Sequence, residues 1–219
     1  MRFDVLVEGQ SDQKVLERLI PKIIGFEPHT VKFRAYQGLG RIPKNMQESR
    51  NARKQKLLEH LPLLLRAYGK ACAGSGFQAV VIVVCDLDKN DKETFLNELE
   101  STLHACDPKP EAHFCLAIEE VEAWLLGDIP AIKAAYPEAK TSVLDNYVND
   151  SICDTWEILA DAVYPGGYSP LKAKGWQTVG WAKSQWAEKI TSHMVVERNA
   201  SPSFVDFRTQ LRELAGLSG

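Results

Sequence analysis

The stretch VVIVVCDLD, residues 80–88, constrains the fold of this chain more than any other. Six apolar or β-branched residues, counting Cys85, run without interruption into two aspartates one residue apart. An apolar run with no polar alternation suits a strand covered on both faces, the situation of a parallel strand inside a layered α/β sheet. Asp86 and Asp88 then pose a question. Like charges at the mouth of a buried strand either begin a loop and cap the following helix, or hold a divalent cation.

The surrounding segments supply the layers. FDVLVEG (3–9) is a short strand closed by Glu8 and Gly9, after which Ser11 is placed to cap a helix. Val15, Leu16, Leu19, Ile20, Ile23 and Ile24 form its apolar stripe, with a kink expected at Pro21. TVKFRAYQG (30–38) alternates as a strand does, and 50–68 returns to helical spacing with Pro62 inside it. A helix is expected near 92–105, a fourth strand at AHFCLAI (112–118), and a helix at once in EEVEAWLLGD (119–128). Strands alternating with helices predict an α/β core over 1–128, a mostly parallel sheet flanked by helices.

Beyond Pro130 the pattern turns helical and holds all but one of the five tryptophans. Residues 129–219 are expected to form a helical C-terminal extension packed on the core. Within it, YPGGYSPLKAKGWQTVGW (164–181) reads as a glycine-rich, aromatic, mildly basic loop. SPSFVDFRTQLREL (201–214) reads as a helix with a Ser203–Asp206 capping box, an apolar face of Phe204, Phe207, Leu211 and Leu214, and Arg208 and Arg212 on a polar face.

Charge and cysteine usage narrow the function classes. A net charge of −3 denies the whole molecule a general attraction to nucleic acid, so any such binding must come from local patches. One candidate is RIPKNMQESRNARKQK (41–56), with Arg41, Lys44, Arg50, Arg53 and Lys54. A second is the 164–181 segment, where Lys172 and Lys174 lie among aromatics suited to phosphate contact and base stacking. Arg208 joins them from the C-terminal helix. The alternatives are a solvated helix face for the first and an aromatic mini-core for the second. Five cysteines without a CxxC, two of them inside apolar runs, point to free thiols and a cytoplasmic protein. No membrane-spanning run or signal peptide is expected. GLGR (38–41) lacks the lysine of a P-loop, and neither His60 nor His193 has a nucleophile at triad spacing.

The acidic residues carry the chemistry. In parallel sheets, ligands bind outside the carboxyl ends of the strands. Glu8 closes the first strand, Asp86 and Asp88 the third, and Glu119, Glu120 and Glu122 follow the fourth. Carboxylates converging on one edge repel and raise one another's pKa unless a cation sits among them. Magnesium or manganese would be that cation, bound through one or two carboxylates, water and substrate phosphate.

E-G after the first strand and D-x-D after a later apolar strand resemble the Toprim fold of topoisomerases, primases and OLD-type nucleases. VEGQSD (7–12), GLG (38–40), VCDLD (84–88), EVEAWLLGD (120–128) and SPSF (201–204) resemble, more closely, the DUF4276 family, a Toprim-like group. That resemblance implies Glu8 as general acid/base or metal ligand and Asp86 and Asp88 as ligands of magnesium or manganese. It makes Glu120 and Glu122 part of the family's own acidic motif, and with Asn90 where many Toprim enzymes carry a third acid, a further ligand must come from Glu122 or Glu120. Three classes of function follow. They are a metal-dependent nuclease acting on DNA or RNA, the effector beside an ABC- or AAA-type ATPase; a non-catalytic binding subunit of such a complex; and another D-x-D enzyme. A glycosyltransferase would not require Glu8-Gly9, and a HAD phosphatase would want Thr or Val at position 90.

Overall fold

A computed structural model describes residues 1–43, 56–75, 79–151 and 154–217. Its first half alternates β1 (Arg2–Val7), α1 (Gln10–Ile24), β2 (Thr30–Ala35), α2 (Leu57–Ser75), β3 (Ala79–Asp86), α3 (Lys92–His104) and β4 (Ala112–Ala117). The sheet is parallel and flanked by helices, with strand order β2-β1-β3-β4. β1 pairs with both neighbours in one register, Val7 opposite Ala35 on one side and Val84 on the other. All eight residues of β3 are buried, as its unbroken apolar sequence requires of an inner strand. On the edge strand β2, exposed and half-buried residues alternate. Pro21 lies inside α1, which nevertheless continues to Ile24.

Helices make up the second half: α4 (Glu122–Leu126), α5 (Ile129–Ala135), α6 (Thr141–Leu144), α7 (Thr155–Val163), α8 (Tyr168–Ala173), α9 (Trp176–His193) and α10 (Pro202–Leu214). The segment expected as a loop over 164–181 is therefore helical through most of its length. Gly175, at φ +88°, makes the break between α8 and α9 in a backbone region that L-residues rarely adopt.

The chain divides into two compact units, Met1–Gln13 with Phe26–Leu116, and Lys14–Gly25 with Ala117–Gly219. In the first, Leu57, Leu61 and Leu65 of α2 and Phe95, Leu99 and Leu103 of α3 recur every four residues and are buried, the stripe of a helix that covers a sheet.

Trp124 organises the second unit. Its ring stacks on Phe207 at 5.0 Å and meets Phe204 edge-on at 5.7 Å. The indole N–H donates to Ser203 Oγ at 2.9 Å, so Ser203 serves Trp124 rather than a capping box. The cap of α10 is Ser201, whose hydroxyl faces the Phe204 N–H, while Asp150 accepts from Ser203 N at 2.6 Å. Pro202 follows in the first turn, where its missing N–H costs nothing. Phe204, Phe207 and Leu211 are buried as their spacing predicts, and Leu214 is half-buried at the frayed end. Lys22 belongs to this unit because its ammonium donates to the carbonyls of Thr191, Ser192 and Met194 at the end of α9.

Candidate functional site

Parallel register brings Glu8 and Asp86 to the same end of two neighbouring strands. Val7 lies opposite Val84, so Glu8 leaves the sheet beside Cys85, one residue before Asp86. Cys85 reports on this gathering of charge. Its buried thiol is pushed well above its ordinary range, first by burial and then by Asp86, Glu8, Cys115 and Asp12. Coulomb interactions weaken with separation, and Asp86 and Glu8, which the register brings to this end of the sheet, head the carboxylates acting on that sulfur. Asp86 and Asp12 are themselves buried and Glu8 is half-buried, whereas Asp88 is exposed in a left-handed conformation at φ 48°.

Asp12 is the acidic residue that sequence reasoning misses. Helix α1 begins at Gln10, one residue before the expected cap. The carboxylate of Asp12 then turns back to accept from Gly9 N at 2.8 Å and from Ser11 Oγ at 3.2 Å. An aspartate in the first helical turn directly after E-G was the available signal.

The bland reading of Asp86 and Asp88 meets a specific obstacle. Helix α3 is capped by Asp91, which accepts from Thr94 N at 2.9 Å and Thr94 Oγ1 at 2.7 Å. Asn90, standing where a third acid was sought, closes the turn instead, donating from Nδ2 to the Leu87 carbonyl at 2.9 Å. Neither task falls to Asp86 or Asp88. An open cleft in the same unit is lined by Gly40, Arg41, Asp88, Lys89 and Thr94, among others, so Arg41 and Asp88 share one concave surface.

The carboxylates after β4 lie in the second unit and have partners there. Glu119, at φ 64°, accepts from the backbone N–H groups of Asp154 and Thr155 and so caps α7. Lys183 of α9 lies 3.0 Å from Glu122 Oε2 and 3.4 Å from Glu120 Oε1. Burial first, then the neighbouring Glu122, lifts the Glu120 carboxyl to about 8 even though Lys183 pulls it down. Sequence reasoning overlooks Lys183 too. Its spacing, four residues after Val179 and three before Trp186, placed it on the buried face of α9.

The basic candidates separate into three groups. Lys44, Arg50, Arg53 and Lys54 lie outside the described residues. Arg208 is engaged within its own unit, donating to the Val196 carbonyl and lying 3.4 Å from Glu197. Lys172 and Lys174 are exposed, with their ammonium groups 5.5 Å above the Tyr168 ring and 5.4 Å above the Tyr164 ring.

Among the described residues no three His, Cys, Asp or Glu side chains form a group that would hold a metal ion unaided. The donor atoms of Glu8, Asp86 and Asp88 are all carboxylate oxygens, hard ligands of the kind magnesium and manganese take. They fit a cation that uses one or two carboxylates and completes its shell with water and phosphate oxygen. They do not fit one that needs a closed protein cage. Among the described residues no helix is long and apolar enough to cross a membrane. The family model of a domain of unknown function, DUF4276, matches residues 7–212. No curated protein and no solved structure matches the chain.

Proposed function

The chain belongs to the DUF4276 family, and from its acidic sheet edge we propose that it is a Toprim-like, metal-dependent phosphodiesterase acting on DNA or RNA. The observation that carries this reading is the convergence of Glu8 and Asp86 at the carboxyl ends of adjacent parallel strands, with the following helix already capped by Asp91. Asp86 and Asp88 are the residues that would hold magnesium or manganese. When bound, the cation supplies charge neutralisation at the scissile phosphate and orients water. Glu8 is the residue suited to moving a proton to or from the reacting oxygens, because it is half-buried among other carboxylates. Arg41, on the cleft shared with Asp88, would hold a neighbouring phosphate. With no P-loop in the chain, an ABC- or AAA-type ATPase is the partner this reading expects, the chain serving as its effector.

A second reading, a non-catalytic binding subunit of such an ATPase, is favoured by one observation. Glu120 and Glu122, the further candidate ligands, both face the ammonium of Lys183, at 3.4 and 3.0 Å.

Cleavage assays separate the two. Plasmid DNA, tRNA and single-stranded RNA are incubated with the protein in EDTA, Mg²⁺ or Mn²⁺, with and without the candidate ATPase. Turnover is expected only with metal, and Asp86→Ala, Asp88→Ala and Glu8→Gln should each abolish it while the far-UV circular dichroism stays unchanged. No cleavage under any metal, together with a partner complex that survives Asp86→Ala, overturns the enzymatic reading.

A further inference from the structure

We propose that the α8–α9 surface of the second unit is a stacking platform for single-stranded nucleic acid. This assigns a substrate class to the phosphodiesterase reading and rests on it for its purpose, but the binding itself requires neither metal nor Asp86.

Two tryptophans of α9 face solvent, Trp176 at 69% and Trp181 at 63% exposure. Burying an indole face is among the larger apolar gains available to a side chain, so two left open on one helix are unusual unless something covers them. The local core is built around another tryptophan. Trp156, 6% exposed, fills that role and meets Tyr168 and Trp176 edge-on at 6.0 and 6.1 Å. Trp176 thus borders this aromatic cluster on one edge while most of its surface stays open.

What covers them is constrained by their surroundings. Gln177, Gly180 and Ser184 lie between the tryptophans on the helix, so no continuous apolar face is offered to a partner helix or a lipid surface. Along the axis the two rings are offset by five residues, ~7.5 Å, and around it by ~140°, so a strand touching both would cross the open space over Gly180 between them. Phosphate contacts are at hand. Lys172 and Lys174 are exposed, seated over the Tyr168 and Tyr164 rings, and Lys174 also donates to the Tyr164 hydroxyl at 2.9 Å. Residues 168–193 carry four lysines against one glutamate, and with Lys183 committed to Glu120 and Glu122 three lysines remain in a chain of net charge −3. The local carboxylate of Asp161 is occupied by the Tyr168 N–H at 2.7 Å, and Glu157 is half-buried. Aromatic faces interleaved with cations, without base-edge readers, bind single strands with little sequence preference.

Fluorescein-labelled oligo-dT and oligo-U are titrated in EDTA with the full-length protein and with its Asp86→Ala variant, following anisotropy and tryptophan quenching. Both proteins should bind both oligonucleotides and show quenching, and a duplex of equal length should bind at least tenfold more weakly. Trp176→Ala and Trp181→Ala should each weaken binding roughly fivefold or more. Lys172→Ala with Lys174→Ala should reduce the slope of log affinity against log salt by roughly 1.4. All four positions are exposed, so melting temperatures should move little, most at Trp176, which meets Trp156 edge-on. The platform is refuted by single strands that fail to bind in EDTA at low salt, by duplex binding as tight as single strand, by tryptophan variants that bind as the parent does, or by anionic lipid vesicles quenching Trp176 and Trp181 while oligonucleotides do not. Oligonucleotide binding without cleavage under any metal would leave the platform standing and remove the phosphodiesterase. Cleavage with wild-type affinity in the tryptophan variants would do the reverse.

Discussion

Glutamine in place of Glu120 should flatten the acid-to-neutral decline in stability, and the structure gives the size of the effect. One ammonium, that of Lys183, faces two carboxylates at 3.4 and 3.0 Å, and Glu122 is buried. The arrangement is close to neutral only if one carboxyl keeps its proton. Burial and the charge of Glu122 assign that proton to Glu120, raising it from an ordinary 4.5 to about 8. Below 4.5 the folded and unfolded chains both hold this proton and nothing is lost. Between 4.5 and about 8 the unfolded chain releases it while the folded chain retains it, so stability falls as pH rises. Above about 8 both have released it and the fall is complete. At ~1.4 kcal/mol for each pKa unit, the decline is on the order of 5 kcal/mol across the window. Glu120→Gln cannot ionise, yet keeps an oxygen for Lys183. Urea unfolding in EDTA, measured for parent and variant between about pH 5 and pH 8, isolates Glu120 with its neighbours Glu122 and Lys183, because groups remote from them titrate alike in both. The variant should gain on the parent by roughly 3 kcal/mol over that range, with equal m-values. A difference that stays constant with pH would show that Glu120 is ionised in the folded chain.

Phe207→Ala removes the ring stacked on Trp124 and should cost ~3–5 kcal/mol. For a chain of this size that lowers the calorimetric melting temperature by roughly 6–20 °C, and an unchanged value would mean the apolar face of α10 is not packed. Gly127→Ala places a methyl 2.2 Å from Asn199 Oδ1 and 2.9 Å from Ser201 Cβ. Asn199 would have to release the Trp124 carbonyl it holds at 2.7 Å. A loss of ~1–3 kcal/mol is expected in chemical denaturation, and wild-type stability would show that this corner yields freely.

Much of the fold was legible in order of appearance along the chain. β3 followed from its unbroken apolar run, and α10 from the spacing of Phe204, Phe207 and Leu211, because burial on one face leaves a period that a short window can read. Errors arose where local chemistry was ambiguous. Residues 164–181 carry Gly166, Gly167 and Gly175, which read as a loop, yet the glycines lie between and before helices rather than inside α8. Ser203 looked like a cap three residues before Asp206, but Trp124, seventy-nine positions away, claims its hydroxyl.

By itself the sequence determined which residues form strands, that the sheet is of the buried parallel kind, and that Glu8 and Asp86 lie at strand exits. Those are consequences of hydrophobic period and chain order, both local. Only the tertiary structure decided what each carboxylate is committed to: Asp91 to the cap of α3, Asp12 to the Gly9 N–H, Glu119 to the start of α7, Glu120 and Glu122 to Lys183. A carboxylate's role depends on which donor or cation reaches it and on how much water remains. In the second unit those partners come from positions more than thirty residues away. No periodicity within a strand or helix encodes an encounter of that range.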